Sequence, residues 1–311
     1  MPKVLVTCPP MLGMIENLRY LFDDKNVQVH CPDVIQTLSE EELIELVPRF
    51  DGWVIGDDPA TRAVFEAGIA GNLRAAVKWG IGVDNVDLAA AKQLGIPVTN
   101  TPNMFGREVA DVAMAYVTLL ARHLHEIDRA VWNGGWIKPR GTSLADKTMG
   151  VIGFGDIGSN VAKRALAAEM RVIAYDPAYK KRAGLESVQA EDWPNRIDEC
   201  DFLVLTCSLN EGNRHMLNAE TLALARDGVR IINVARGPLI DERALLESLD
   251  SGKVASAALD VFEVEPLPSG SGLRKHKQCV FGSHNGSNTS EAVRATSIRA
   301  VEALYSALGI R

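Results

Sequence analysis

Nowhere in the 311 residues do eighteen apolar residues run uninterrupted, so no membrane-spanning helix is expected. The opening "MPKVLVTCPP" is also too short an apolar run for a signal peptide. Positive charge is not in excess: 33 Lys and Arg stand against 40 Asp and Glu, a net charge of −7, with no dense basic tract. Non-specific binding to nucleic acid is therefore not expected. Cysteine is sparse and odd in number, at 8, 31, 200, 207 and 279, with no C-x-x-C pair. That excludes a disulfide framework and fits reduced thiols in a cytoplasmic protein. No cluster of His, Cys and carboxylates has metal-ligand spacing, so no metal is expected. What remains is the balance of a soluble globular protein, 47% apolar and 23% charged, with length enough for two domains.

Short apolar or alternating runs recur along the first third: "KVLVT" (3–7), "VQVH" (27–30), "GWVIG" (52–56) and "AAVKW" (75–79). Stretches with helical spacing, such as 12–22 and 39–49, separate them. This βαβ rhythm predicts a parallel sheet covered by helices. In "GREVADVAMAYVTLLARH" the apolar residues 109, 112, 113, 116, 119 and 120 predict a long helix. A second series follows: "KTMGVIGFGDIG", "RVIAYD" (171–176), "DFLVLTC" (201–207), "RIINVA" (230–235), "SAALDVF" (256–262) and "CVFGSH" (279–284). Apolar residues at 292, 295, 298, 301, 304, 305 and 308 make 291–308 a final amphipathic helix. "PLPSGSGLRKHKQ" (266–278) reads as a polar surface loop, and no internal repeat stands out.

The second series opens on Gly153, Gly155 and Gly158 in G-x-G-x-x-G spacing. An apolar strand, Met149 to Ile152, precedes them and the helix-forming "SNVAKRALAAEM" follows. The next strand ends at Tyr175–Asp176, with Asp176 lying 23 residues after Gly153. Glycines for a tight turn, a helix N-terminus for the pyrophosphate and a carboxylate for the adenosine ribose form a dinucleotide fingerprint. Asp176 would repel a 2′-phosphate, which favours NAD over NADP, although Lys180, Lys181 and Arg182 bring positive charge close by.

In "NVARGPLID" Arg236 stands at the tip of an apolar strand, a place where a permanent cation calls for an anion. The next strand ends in "LDVFEVEPL", which offers Asp260, Glu263 and Glu265, and the one after ends in "FGSHNGS" with His284. Ligands of such sheets bind beyond the carboxyl ends of the strands, so these groups should converge beside a nicotinamide. Arg236 would hold a substrate carboxylate and polarise a carbonyl. His284 would give a proton to the developing alkoxide, and Glu265 would orient the imidazole and stabilise its protonated form. Structural readings compete: Arg236 paired with Glu263 or Asp241, and His284 as a polar strand terminus. His30, His123, His125, His215 and His276 show no comparable partners, and Cys207 reads as a small wall residue of the adenine pocket.

The chain resembles the D-isomer-specific 2-hydroxyacid dehydrogenases. "KWGIGVDNVDLAAAKQLGIPVTNTP" is similar to the matching segment of D-3-phosphoglycerate dehydrogenases, and "ARDGVRIINVARGPLID" to the family signature around its catalytic arginine. "AALDVFEVEPL" and "SHNGSNT" resemble the carboxylate and histidine segments. The resemblance implies an α/β fold of two doubly wound parallel-sheet domains. One is a flavodoxin-like substrate domain, 1–100 with 287–311; the other is a Rossmann-type nucleotide domain, 101–286. It implies Arg236, Glu265 and His284 as the catalytic triad, and Asp260 on the nicotinamide amide. Cofactor contacts are implied for Gly153, Gly155, Asp156, Ile157, Gly158, Asp176, Thr206, Cys207, Ser208, Val234, Ala235 and Gly286. Substrate contacts are implied for Lys78, for the backbone amides around Ile81 and Gly82, and for Arg236. A homodimer through the nucleotide domain, around 107–140, is implied as well.

Three departures bear on the substrate. "SHN" replaces a "PH" context, and "TCSLNEGN" lacks the usual adenine-loop residues. "GDDPATR" lacks the arginines that phosphoglycerate dehydrogenases use for phosphate, although Arg62, Lys78 and Arg107 are available for one. An appended regulatory domain, and with it serine feedback, is not expected. Formate and phosphite dehydrogenases share the resemblance, but formate enzymes carry Gln where this chain has Glu265. A non-enzymatic NAD-sensing corepressor keeps the triad and would need a peptide cleft in the first domain. The expected activity is NAD-dependent interconversion of a 2-oxoacid and a D-2-hydroxyacid.

Overall fold

The computed structural model of the chain describes residues 1–310, and among them the strand pairings are parallel throughout, in two sheets. The chain divides into two compact units, Met1–Met104 with Asn288–Arg311, and Phe105–Ser287.

In the first unit β1 (Lys3–Val6) is followed by three one-turn helices, α1 (Pro9–Leu12), α2 (Ile15–Leu18) and α3 (Tyr20–Asp23). Helical spacing over 12–22 predicts one segment there, and the apolar face is indeed kept, with Met11, Leu18 and Phe22 buried. The hydrogen-bond ladder breaks at Met14, whose φ of −115° and ψ of 10° leave the helical well. Next come β2 (Gln28–His30), α4 (Glu40–Leu46), β3 (Gly52–Ile55), α5 (Arg62–Ala70), β4 (Ala75–Lys78), α6 (Leu88–Gln93) and β5 (Val98–Asn100). Ser39 and Glu42 close a capping box at the start of α4, satisfying two otherwise orphaned amides. Strand order is β2-β1-β3-β4-β5, the flavodoxin-like winding, whose direction reverses between β1 and β3. At that reversal Thr7 donates to the buried Asp58, and Asp58 also accepts from Gly56 N and Leu38 N, each at 3.0 Å. Burial raises the Asp58 carboxyl above its usual range against those hydrogen bonds.

The second unit begins with α7 (Gly106–Arg122) and α8 (Leu124–Trp132), then β6 (Thr148–Ile152), α9 (Asp156–Ala167), β7 (Arg171–Tyr175), β8 (Gln189–Glu191) and β9 (Phe202–Leu205). It continues with α10 (Ala219–Leu224), β10 (Val229–Asn233), α11 (Glu242–Ser251), β11 (Val254–Leu259) and β12 (Val280–Phe281). The order β12-β11-β10-β9-β6-β7-β8 is the dinucleotide-binding winding with one further strand, and it reverses between β6 and β9. The inner strands β6 and β9 are buried along their whole length, which is why they read as continuous apolar runs. The stretch 266–278 is not wholly a surface loop. A 3₁₀ turn at Gly272–Lys275 puts Leu273 fully inside the core of this unit.

The final helix, α12 (Ser290–Leu308), belongs to the first unit and packs on β3 and β4. Leu304 and Leu308 lie against Gly52, where a Cβ would sit 3.0 Å from Leu308 Cδ1. Trp79 Nε1 donates to Ser297 Oγ at 3.1 Å. The buried face therefore includes Thr296 and Ser297, while Ala295 is exposed, a rotation from the face that apolar residues alone predict. Among the described residues no helix is long and apolar enough to cross a membrane.

Candidate active site

β6 ends at Ile152 and α9 starts at Asp156, so the glycines occupy the turn between them. Gly153 has φ +92°, and a Cβ there would lie 2.6 Å from Cys207 Cα. A Cβ at Gly158 would collide with the Gly153 carbonyl and come within 2.8 Å of Thr206 Oγ1. Both positions need glycine for packing. Gly155 is different, because a Cβ there meets nothing within 4 Å, leaving open backbone at the N-terminus of a 12-residue helix. Such a cradle fits a pyrophosphate. Thr206 Oγ1 donates to Gly153 O at 2.7 Å and so pins the turn to the end of β9.

Asp176 follows β7 and accepts from Phe154 N at 2.6 Å and Ala178 N at 2.8 Å. A carboxylate has about four lone-pair sites, so two amides leave capacity for ribose hydroxyls. Arg182 sits over the Phe154 ring, 5.9 Å from its centroid, and donates to Phe154 O at 3.3 Å. The Asp156 carboxylate turns to Gly106 at the start of α7 and accepts from Asn160 Nδ2 at 3.3 Å. Ile157 is half-buried beside it and Ser208 is exposed. Burial pushes the Cys207 thiol up to about 11, which leaves it an inert wall.

At the other strand ends, Asn233 closes β10 and is fully buried. Its side chain accepts from Ala235 N at 3.0 Å and donates to Arg236 O at 2.9 Å, shaping the turn that carries the arginine. Val234 and Ala235 are buried within it, and Arg236 Nη1 donates to Ala235 O at 2.8 Å. Gly237 presses on the Phe262–Glu263 peptide so closely that a Cβ has no space, which locks the turn after β10 to the turn after β11. In the latter, Glu265 Oε1 accepts from Phe262 N at 2.9 Å. Glu265 Oε2 meets His284 Nδ1 at 2.8 Å, with the side chains 21% and 22% exposed. A carboxylate partner assigns the proton to Nδ1 and leaves Nε2 as the atom that exchanges one. His284 has φ +55°, and its N–H donates to Asp260 O at 2.7 Å. The left-handed conformation costs on the order of 1 kcal/mol for such a residue, so the loop holds it in place. Asp260, 3% exposed, accepts from Gly286 N at 2.8 Å, Asn285 N at 3.2 Å and Tyr116 at 3.5 Å. Burial lifts the Tyr116 phenol well above its usual value, so it stays a donor.

In the first unit Lys78 ends β4 with its side chain 3% exposed, and its Nζ donates to Asp57 Oδ1 at 3.0 Å and Trp79 O at 3.1 Å. The Ile81–Gly82 loop follows Gly80, whose N–H donates to Thr101 Oγ1 at 2.7 Å, while Asn100 Nδ2 donates to Ile81 O at 2.9 Å. Arg62 donates to Gln93 Oε1 at 2.5 Å and lies 3.6 Å from Glu66. Arg107 is exposed at the start of α7 in the second unit.

The expectation that the other histidines show no partners comparable to that of His284 fails for His215 and His123, which meet carboxylates. His215 Nε2 lies 2.5 Å from Glu263 Oε1, His123 Nδ1 lies 2.9 Å from Glu126, and His276 lies 3.7 Å from Asp250. His125 bonds the carbonyls of Leu119 and Gln278 at 3.3 and 3.2 Å. Sequence reasoning also passed over Asn233 and Tyr116. The signal for Asn233 was present, as a lone polar residue ending the apolar run "RIIN". Tyr116 sits on α7 among apolar neighbours and reads as core, and nothing local points it at Asp260.

The model of the NAD-binding domain of the D-isomer-specific 2-hydroxyacid dehydrogenases matches residues 114–286. The hydroxypyruvate reductase of Thermotoga maritima is 43% identical over 279 residues, spanning 88% of this chain and 90% of that protein. The chloroplastic D-3-phosphoglycerate dehydrogenase 3 of Arabidopsis thaliana is 40% identical over 280 residues, 89% of this chain, but the match spans only 47% of that protein. Among solved structures, a glyoxylate reductase from Paecilomyes thermophila superposes with a TM-score of 0.82 at 28% identity, covering 99% of this chain and 95% of that one. The cradle at Gly155 and the fixed carboxylate of Asp176 suit the cofactor that this match names. The chain belongs to the D-isomer-specific 2-hydroxyacid dehydrogenases, NAD-dependent oxidoreductases acting on CH–OH groups.

Proposed function

We propose that the chain reduces small, unphosphorylated 2-oxoacids to D-2-hydroxyacids with NADH, and that hydroxypyruvate is among them. The observation that carries this reading is the His284–Glu265 pair at 2.8 Å, on the same sheet rim as the Arg236 turn. Arg236 binds the substrate carboxylate with its planar fork and draws electron density toward the carbonyl oxygen. When bound, NADH supplies the hydride to the carbonyl carbon. His284 Nε2 delivers the proton to the oxygen, while Glu265 keeps Nδ1 protonated and stabilises the imidazolium before transfer. The first unit takes the role of substrate domain, with Lys78 and the amides of Ile81 and Gly82 as its contribution. The second takes the cofactor, with Asp176 on the ribose and Asp260 on the nicotinamide amide.

Two ion pairs favour an unphosphorylated substrate. Lys78 pairs with Asp57, and Arg62 bonds Gln93 and lies 3.6 Å from Glu66, so the positive charge these two would bring to a dianion is already partly neutralised. The 43% identity with a hydroxypyruvate reductase over nearly its whole length points the same way. Turnover with NADH over glyoxylate, pyruvate, hydroxypyruvate and phosphorylated hydroxypyruvate tests this. The highest kcat/KM is expected on hydroxypyruvate. A higher value on the phosphorylated compound overturns the substrate assignment, and no turnover on any of the four overturns the 2-oxoacid reading.

Asp176 sets the cofactor preference. Asp176→Ala is expected to narrow the difference in affinity between NADH and NADPH, because the carboxylate that repels a 2′-phosphate is gone. Equal affinities of the unaltered protein for the two would refute the role of this carboxylate. The proposal includes a homodimer through 107–140, supported by Trp132 and Trp136 at 84% and 79% exposed. A cytoplasmic location fits five free thiols.

A further inference from the structure

A second His–Glu pair lies in the same unit as the first, and the proton relay makes no use of it. His215 stands in the loop after β9, 48 residues from its partner Glu263. Its φ is +52°, a left-handed backbone that a non-glycine residue adopts only when its surroundings hold it. Two contacts do so. The His215 N–H donates to Pro238 O at 2.8 Å, two residues beyond Arg236. The ring Nε2 reaches Glu263 Oε1 at 2.5 Å, two residues before Glu265. One residue therefore grips both the turn that carries the arginine and the turn that carries the histidine's partner.

From Glu263 the path continues. Its backbone N–H donates to Glu242 Oε1 at 2.8 Å, at the first turn of α11, so the peptide following Phe262 is held from the far side. Burial and the charge of Glu263 together raise the Glu242 carboxyl, against the hydrogen bond it accepts, and a donor on Glu263 eases that repulsion. His215 supplies that donor. The adjoining Phe262 N–H holds Glu265 Oε1 at 2.9 Å, and Glu265 Oε2 holds His284. On the other side Gly237 abuts the Phe262–Glu263 peptide with no space for a side chain.

We propose that His215 and Glu263 form a positioning pair that sets the Arg236 turn against the Glu265 turn. Neither touches substrate; both act through the residues they hold. This rests on the reading of Arg236 as anchor and His284–Glu265 as relay. A loosened pair lets the anchor and the relay drift apart, and a misplacement of ~1 Å in such a geometry costs on the order of 100-fold in rate.

The test compares His215→Ala, His215→Gln, Glu263→Ala and the double alanine variant on hydroxypyruvate with NADH, with the unaltered protein measured first. His215→Ala and Glu263→Ala are each expected to lower kcat/KM by ~10- to 100-fold, with KM for the 2-oxoacid raised and NADH affinity retained. The falling limb of the reductive pH profile is expected to move toward acid, because Glu265 no longer holds His284 as firmly. The double variant is expected to be no worse than either single one, the signature of residues acting as a unit. His215→Gln, which can still donate to Glu263, is expected to recover part of the loss. Additive losses in the double variant, or variants that lose thermal stability while kcat/KM and the limb stay where they were, overturn the proposal. If the unaltered protein reduces no 2-oxoacid, it is the functional reading that fails; if it does and His215→Ala matches it, the pair fails alone.

Discussion

Arg236→Lys is expected to lower kcat/KM for the 2-oxoacid by ~100-fold or more, while affinity for NADH stays close to that of the unaltered protein. Charge is conserved in this substitution; geometry is not. A guanidinium offers two parallel N–H donors in one plane and can bind a carboxylate through both oxygens, whereas an ammonium binds as a point charge on a flexible stem. The turn itself is held by groups that the substitution leaves alone. Asn233 bonds Ala235 N and Arg236 O, and Gly237 is seated on the Phe262–Glu263 peptide. The bond from Arg236 Nη1 to Ala235 O at 2.8 Å orients the guanidinium rather than the backbone. Loss of activity in a folded variant is therefore a statement about the fork. NADH affinity is spared because the glycine turn and Asp176 follow β6 and β7, on the opposite side of the sheet's reversal from β10. Steady-state kinetics and NADH fluorescence titration measure the two quantities separately. A lysine variant with near-normal kcat/KM would show that the substrate anion is held elsewhere.

The parts of this arrangement that were legible in the sequence are those written in short-range pattern. Buried parallel strands appear as "GVIG" and "FLVL" because both faces are covered. The glycine turn is legible because each glycine answers a local need, whether a positive φ at Gly153 or close packing at Gly158. The edge strands β5 and β8 were not legible, since Gln189–Glu191 is largely exposed and carries no apolar signal. The buried face of α12 was misjudged because Ser297 is buried by its bond to Trp79, and a hydropathy pattern does not foresee a polar residue paired inside. The long-range pairings were invisible for a related reason. Glu265 and His284 were legible as a pair only because strand ends of a wound sheet share one rim. His215 stands in an irregular loop whose course no periodicity describes, so its partner 48 residues on could come only from the fold.

The proton relay gives the second large expectation. Ketoacid reduction consumes a proton from His284, so reductive kcat/KM falls as pH rises through the titration of that imidazole. Glu265, at 2.8 Å from Nδ1, carries a negative charge that favours the imidazolium over the imidazole. Glu265→Gln removes that charge while keeping the shape and an amide oxygen that still accepts from Nδ1. The imidazolium then gives up its proton at lower pH, and the falling limb for reduction is expected to move toward acid. Oxidation of the hydroxyacid needs the neutral imidazole, so its rising limb is expected to move in the same direction. The single amide oxygen can accept from Nδ1 or from Phe262 N–H but not from both, so one of the two bonds that hold the Glu265 side chain is lost. Some loss of rate therefore accompanies the shift. His284→Ala is expected to act differently, abolishing most turnover and leaving what remains nearly independent of pH over this range, since the titrating donor is gone. Profiles of kcat/KM in both directions, measured with NADH and with NAD, separate these outcomes. A limb that stays in place or moves toward alkali in Glu265→Gln shows that the charge of Glu265 does not govern the histidine's proton, and places that role with another carboxylate of the same rim, Glu263 first among them.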